Sequence, residues 1–174
     1  TSGSIVYHGG ANFRVLAMVD NKIISCEVTK APSGTPSLGV FSTKKTIHSA
    51  DPIILESAGV YDPISNRTIF IYSTAGGTFC RVIQMTLQNV DGVMVNLPSF
   101  GTEVEISDKP TKGLSAAYDG KGYKIVLTYT YDNNAYSLVG SLSGSSKNVT
   151  FGDEALIAEN TNDTSIVYDD FNKR

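Results

Sequence analysis

The chain has 174 residues, 41% of them hydrophobic and 18% charged, and a formal net charge of −3. That length supports one domain with a sizeable core. The acidic balance, with no basic stripe, excludes a phosphate backbone as a natural partner.

No apolar run approaches the ~20 residues that a membrane-spanning helix needs. Thr1-Ser2-Gly3-Ser4 has neither the basic nor the apolar region of a secretory signal. Sixteen Gly, nine Tyr and many Ser and Thr point to β-structure rich in turns. Two Cys make no disulfide framework.

In chain order, the first strand is expected at Ser4–Tyr7, followed by a turn at His8-Gly9-Gly10 and strands at Phe13–Val19, Lys22–Thr29 and Val40–Ile47. Ala31–Gly39, with Pro32, Gly34 and Pro36, reads as a loop. The unit then recurs. Gly59–Tyr61 runs into Asp62 and the turn Pro63–Asn66, and strands are expected at Thr68–Tyr72, Thr78–Leu87 and Phe100–Ile106. Asn89–Pro98 reads as a second loop. The third copy has strands at Ser115–Tyr118, Lys124–Thr130, Ala135–Leu142 and Thr150–Ala158, with turns at Gly120–Gly122, Asp132–Asn134 and Ser143–Ser146. A fourth begins at Ser165–Tyr168 and reaches Asp169.

Two anchors mark the repeat. Tyr7, Tyr61, Tyr118 and Tyr168 are spaced by 54, 57 and 50 residues. Phe41, Phe100 and Phe151 follow the first three by 34, 39 and 33. Self-similarity at such a period signals a repeat architecture. The domain is read as one β-repeat unit over 1–174, with repeats at about 7–60, 61–117, 118–167 and a partial 168–174. Ile69-Phe70-Ile71-Tyr72 and Ile125-Val126-Leu127 are apolar on both faces, as in strands sandwiched between stacked sheets. No segment holds a helical period over three turns.

The run Tyr136 to Ser145, then Val149-Thr150-Phe151-Gly152, then Ser165-Ile166-Val167-Tyr168-Asp169, resembles the propeller-type repeat of phage tail-fibre and other virion structural proteins. There the pattern is roughly Val-Gly-Thr-Val-Ser-Gly, then Phe-Gly, then Tyr-Asp and a basic residue. The resemblance covers nearly the whole chain at the level of repeat grammar, and it is poorest in the first repeat, where His8-Gly9 replaces Tyr-Asp. It implies an all-β, β-propeller-like fold, and a β-trefoil is the alternative because it too has three four-stranded repeats. It also implies a non-enzymatic structural or receptor-binding segment of an extracellular fibre or virion appendage. The second reading is a carbohydrate-binding, lectin-like module.

Candidate ligand-binding turns are Asp62 with Arg67, Asp119 with Lys124, and Asp169 with Arg174. The plainer reading is that each Asp caps its own turn and each cation is solvated. Tyr123, Tyr131 and Tyr136 could stack on sugars, although half-buried strand positions use Tyr for the same reasons. Asn66, Asn148 and Asn162 each head an Asn-x-Ser/Thr acceptor at a turn or loop, so the chain could be a glycoprotein.

Cys26 and Cys80 both lie 19 residues after an anchor Tyr, so they read as the same repeat position, free and unbridged. His8 and His48 have no metal-ligand spacing, and no nucleophile elbow, Walker loop or dinucleotide fingerprint is present. No enzyme activity and no cofactor are expected. Ser165-Ile166-Val167-Tyr168 nearly duplicates Ser4-Ile5-Val6-Tyr7. The architecture is therefore expected to be completed by a homo-oligomer or filament through the terminal strands, or by a longer chain, outside the cell or on a virion surface.

Overall fold

The computed structural model describes residues 3–8, 14–29, 37–41, 45–48, 53–142, 147–169 and 171–172. These form an all-β architecture of several antiparallel sheets, one of them curled into a half-barrel. The first sheet, sheet A, holds β1 (Gly3–His8), β2 (Arg14–Val19), β3 (Lys22–Thr29), β4 (Ser37–Phe41) and β5 (Lys45–Thr46). Sheet B holds β6 (Glu56–Asp62), β7 (Arg67–Thr74), β8 (Gly77–Val90), β9 (Val93–Phe100) and β10 (Val104–Ser107). Sheet C holds β11 (Lys112–Asp119), β12 (Lys124–Tyr131), β13 (Asn134–Leu142), β14 (Val149–Phe151) and β15 (Ala155–Glu159).

Each sheet draws its strands from one sequence repeat and runs first to second to third strand in chain order. The fourth position is shared by two short strands on the same third strand: β4 and β5 on β3, β9 and β10 on β8, β14 and β15 on β13. The single fourth strands expected from the sequence are thus broken in two, and the break falls after the anchor Phe. Gly101 N donates to Val82 O at 2.8 Å, and Gly152 N to Val139 O at 2.9 Å, the same bond in two repeats. At Gly101 a side chain is excluded outright, because an added Cβ would lie 1.9 Å from Lys147 O.

The two sequence anchors stand in one cross-strand row. Tyr7, Val15, Cys26 and Phe41 form it in sheet A. Tyr61, Thr68, Ile83 and Phe100 form it in sheet B, and Tyr118, Ile125, Gly140 and Phe151 in sheet C. The Tyr-to-Phe spacing therefore measures the length of the intervening hairpins. It is largest in sheet B because β8 is 14 residues long and continues into β9 through Asp91-Gly92. Both turn residues have positive φ, the geometry a two-residue hairpin requires. The loop expected over Asn89–Pro98 is thus mostly ladder.

The central strand of sheet B, β7, is buried on both faces because that sheet is packed on both sides. Phe70, Tyr72 and Ile83 of sheet B meet Leu16, Met18 and Ile23 of sheet A in one core. Ile69, Ile71, Cys80 and Val82, from the opposite face of sheet B, meet Ile125, Leu127, Tyr129 and Leu138 of sheet C in another. Alternation along β7 sends neighbouring residues to different cores. The face turned to the preceding sheet is the leading face here, and the other the trailing face.

Three further expectations are corrected. Cys26 and Cys80 do not share a row, since Cys26 pairs with Val15 and Cys80 with Ile71. The cause is that β2 has 6 residues where β7 has 8, so equal spacing in sequence is not equal register. Both are buried, with free thiols. Part of the expected loop Ala31–Gly39 is strand, because β4 starts at Ser37; residues 31–36 lie outside the described residues. Residues 165–169 form no β-ladder among the described residues, although a strand is expected there. Phe13, the turn at 9–10, the turn at 143–146, and Arg174 also lie outside the described residues.

Candidate functional site

The Tyr-Asp turns close the hairpins between the first and second strands. Asp62 and Arg67 are the last ladder pair of β6–β7, as Asp119 and Lys124 are of β11–β12. Asp62 Oδ1 accepts from Ile64 N at 2.9 Å, and Asp62 Oδ2 accepts from Ser65 Oγ at 2.7 Å. Asp119 Oδ1 accepts from Lys121 N at 2.9 Å and Gly122 N at 3.0 Å. Asp169 Oδ1 accepts from Phe171 N and Asn172 N, both at 3.0 Å. The three carboxylates are therefore Asx-turn caps, and their acceptor sites are largely filled by their own turns.

The backbone N–H groups of Gly122 and Lys121 hold the Asp119 carboxyl below its usual range. The Asn172 side chain and backbone do the same for Asp169. Among the cations, Lys124 is solvent-exposed, but Arg67 is only 6% exposed. The solvated reading of the basic position thus fails at Arg67, which is enclosed with Asp62 at the end of the hairpin.

A second role emerges across the repeats. Tyr118 stands against Asp62 of the preceding repeat; burial and that carboxylate push its phenol far up. Its Oη is buried without a hydrogen bond of ordinary geometry, so the rung is tight but imperfect. Tyr168 stands against Asp119 in the corresponding place. Tyr118 and Tyr168 therefore each reach back to the Asp one repeat earlier, whereas Tyr61 donates to Asn66 of its own turn. The turn residues that recur in the sequence connect consecutive first strands.

Asp62→Ala removes the cap and the partner of Tyr118 together. It is expected to destabilise the fold by about 1–3 kcal/mol, read by urea titration, with a smaller loss for Asp119→Ala at its half-buried site. Tyr123 is 61% exposed and has φ of 55°, the left-handed region that a bulky residue avoids. Tyr123→Gly is expected to stabilise by about 1 kcal/mol, again by urea titration.

A second recurrent cluster lies at the opposite end of the central strands. Glu103 follows Phe100-Gly101-Thr102, and Glu154 follows Phe151-Gly152-Asp153. Glu103 Oε2 accepts from Tyr72 Oη at 2.5 Å and meets His48 Nδ1 at 2.7 Å, with Arg81 Nε 3.4 Å away. Glu154 accepts from Tyr129 Oη, the residue equivalent to Tyr72. The ring pairs Tyr72–Phe79 and Tyr129–Tyr136 also correspond, with centroids 6.2 and 6.0 Å apart. The legible signal was the repeated Phe-Gly-x-Glu, whose Glu the sequence reading left unassigned.

Burial pulls the Glu103 carboxyl upward, but the bonds from His48 and Tyr72 and the charges of His48 and Arg81 outweigh it and hold it below the usual range. Burial and the Glu103 contact push the Tyr72 phenol far up. The Cys80 thiol, desolvated and near Glu103, is pushed up to about 12, which makes it a poor nucleophile at neutral pH.

Two clefts are relevant. One of about 450 Å³ lies between sheet C and residues 166–168, lined by Ala117, Asp119, Val126, Ile166, Val167 and Tyr168. The other, of about 240 Å³, is polar and is lined by Lys112, Thr130, Tyr131, Asp132, Asn133 and Asn162. Tyr131 is stacked on Tyr136 at 5.9 Å, and Lys109 Nζ sits 4.4 Å from the Tyr131 ring centroid.

The glycosylation acceptors Asn66, Asn148 and Asn162 are all exposed. Asn66 Oδ1 accepts from Tyr61 Oη at 2.8 Å, and Asn148 Oδ1 from Thr102 N at 3.2 Å. Among the described residues, no three His, Cys, Asp or Glu are placed to hold a metal ion, and no helix is long and apolar enough to cross a membrane. No family model, curated protein or solved structure matches the chain.

Proposed function

We propose that this chain is a non-enzymatic structural or receptor-binding repeat segment of an extracellular fibre or virion appendage, built as part of a β-propeller. The observation that carries the reading is the role of its recurrent residues. The Tyr-Asp pairs cap turns and connect sheet to sheet, and the Phe-Gly pairs break the fourth strand in register. The recurrent chemistry therefore holds the stack together and leaves little over for turnover.

The topology favours a propeller over a trefoil. Every ladder among the described residues joins strands of one repeat, and consecutive sheets share cores face to face. Blades of a propeller stack in this manner, four strands each.

A lectin-like module is the second reading, and the 240 Å³ polar cleft beside Tyr131 and Asn162 favours it. Electron microscopy of the 1–174 chain and a glycan array separate the two. Rings or filaments without sugar binding support the structural role. Sub-millimolar binding to a defined glycan, lost in Tyr131→Ala, would replace it with the lectin. In a glycosylating host, glycans at Asn66, Asn148 and Asn162 are expected to add mass that an amidase removes, as fits a glycoprotein on an extracellular or virion surface.

A further inference from the structure

Sheet B carries an arm that has no counterpart among the described residues of the other two sheets. In sheet C, β13 ends at Leu142 and β14 opens at Val149; in sheet B, β8 runs on to Val90 and turns back as β9. β7 pairs with β8 only as far as Thr68↔Ile83, so from Gln84 to Val90 β8 has β9 alone beside it. A two-stranded ribbon is marginal in water and gains from a further strand. Insertions confined to one repeat also fall on one face of a repeat protein, often the binding face.

Nothing in the arm keeps another strand away. Edge strands are ordinarily blunted by charge, by Pro or by a bulge. From Val82 to Phe100 the one charged residue is Asp91, at the turn. Pairing runs without a register shift from Ile83↔Phe100 to Val90↔Val93. Leu87, Val90, Val93 and Met94 are exposed. Val90, Val93, Val95 and Leu97 share the trailing face, because their pairs alternate with Asn89↔Met94 and Leu87↔Asn96.

The ladder decides which backbone groups of β9 are free. The two-residue turn Asp91-Gly92 closes on Val90 and Val93, which exchange both backbone bonds. Alternation then turns the N–H and C=O of Val95 and Leu97 towards β8, and those of Met94 and Asn96 outward. Pro98, next in the outward series, has no N–H, and its carbonyl accepts from Lys45 Nζ at 2.9 Å. The open edge ends there, at a residue that strands tolerate on their edges. Among the described residues, no strand but β8 pairs with β9.

We propose that β9 of a second copy of this chain occupies this edge, antiparallel, with Val95 facing Val95 across a two-fold axis. The free set is self-complementary in that register. Met94 of each copy faces Asn96 of the other, and each such pair exchanges both N–H···O bonds, so no outward group is left over. Centring on Asn96 instead would set Met94 against Pro98, which cannot donate. On the trailing face Val93 meets Leu97 and Val95 meets Val95, and the Asp91 carboxylates lie at opposite ends of the ladder. The contact is isologous and closed. Residues 93–97 are far fewer than the roughly 20–30 a side of a standard interface, so the pairing is reversible and rises with concentration. No strand is displaced, and the pairing does not depend on how the sheets close, so it stands or falls apart from the structural reading.

Hydrogen exchange and sedimentation of the 1–174 chain over a concentration series test it. The Met94 and Asn96 amides are expected to exchange at least tenfold more slowly at high concentration, as a dimer appears. Under mild oxidation, Val95→Cys is expected to link two chains at least tenfold faster than Val93→Cys, although Val93 is the more exposed. Facing Cα atoms of a non-hydrogen-bonded pair lie about 4.5 Å apart, within disulfide reach. Asn96→Pro removes an outward N–H but none that β8 uses. It is expected to weaken the dimer at least tenfold while far-UV circular dichroism stays unchanged. A chain that is monomeric at every concentration overturns the proposal and leaves the edge to a strand of another protein. A dimer that Asn96→Pro does not weaken, or in which positions 93 and 95 cross-link alike, overturns it too.

Discussion

Phe70→Ala is expected to lower the unfolding free energy by about 3–5 kcal/mol, the range for truncating a fully buried Phe. Phe70 has no exposed surface, and it sits in the core between sheets A and B with Leu16, Met18 and Ile23. Its cross-strand neighbour is Gly59, where an added Cβ would come within 2.9 Å of the ring. The ring thus lies over the glycine, beside Val6. At roughly 2–4 °C per kcal/mol for a chain of this size, the melting temperature falls by roughly 6–20 °C. Differential scanning calorimetry measures it. Phe171→Ala, at a side chain 93% exposed, is the control and should stay within about 0.5 kcal/mol of the parent. Equal losses at the two positions would mean that sheets A and B do not share this core.

Glu103→Ala is expected to destabilise by about 2–5 kcal/mol, because two buried donors lose their acceptor together. These are Tyr72 Oη and His48 Nδ1, and both residues are buried. Glu103→Gln keeps one carbonyl oxygen and should lose less. The pH dependence follows from the sign of the shift. The folded carboxyl is held below its usual range, so folding favours the charged form. That contribution is complete above the unfolded value of about 4.3. It is lost as pH falls through the lower folded value. Urea titrations from neutral pH downward should therefore show the parent losing stability in acid more steeply than Glu103→Ala. Parallel acid limbs would remove Glu103 from the interface between sheets A and B.

Much of the repeat was legible because its signals are local. A Tyr-Asp before a polar turn, a Gly after an anchor Phe and an alternating apolar strand are each set by a few neighbouring residues. The register was less legible. Cys26 and Cys80 hold the same sequence spacing yet stand in different rows, since strand and turn lengths changed together. Asn89–Pro98 reads as a loop because it carries turn-forming residues, while cross-strand pairing from Ile83↔Phe100 to Val90↔Val93 holds most of it in a hairpin.

By itself, the sequence determined that the chain is all-β, repetitive and organised around Tyr-Asp turns. Strand alternation and turn chemistry are short-range effects that need no partner to be read. Only the tertiary structure decided where those residues point. Asp62 meets a Tyr 56 positions on, and Glu103 gathers Tyr72 and Arg81 of sheet B with His48 of the segment after β5. It also decided that Arg67 is enclosed while Lys124 remains in water. Such pairings depend on how one sheet stacks on the next, and that stacking is set by apolar burial across the sheets, which is non-directional and leaves no fixed spacing along the chain.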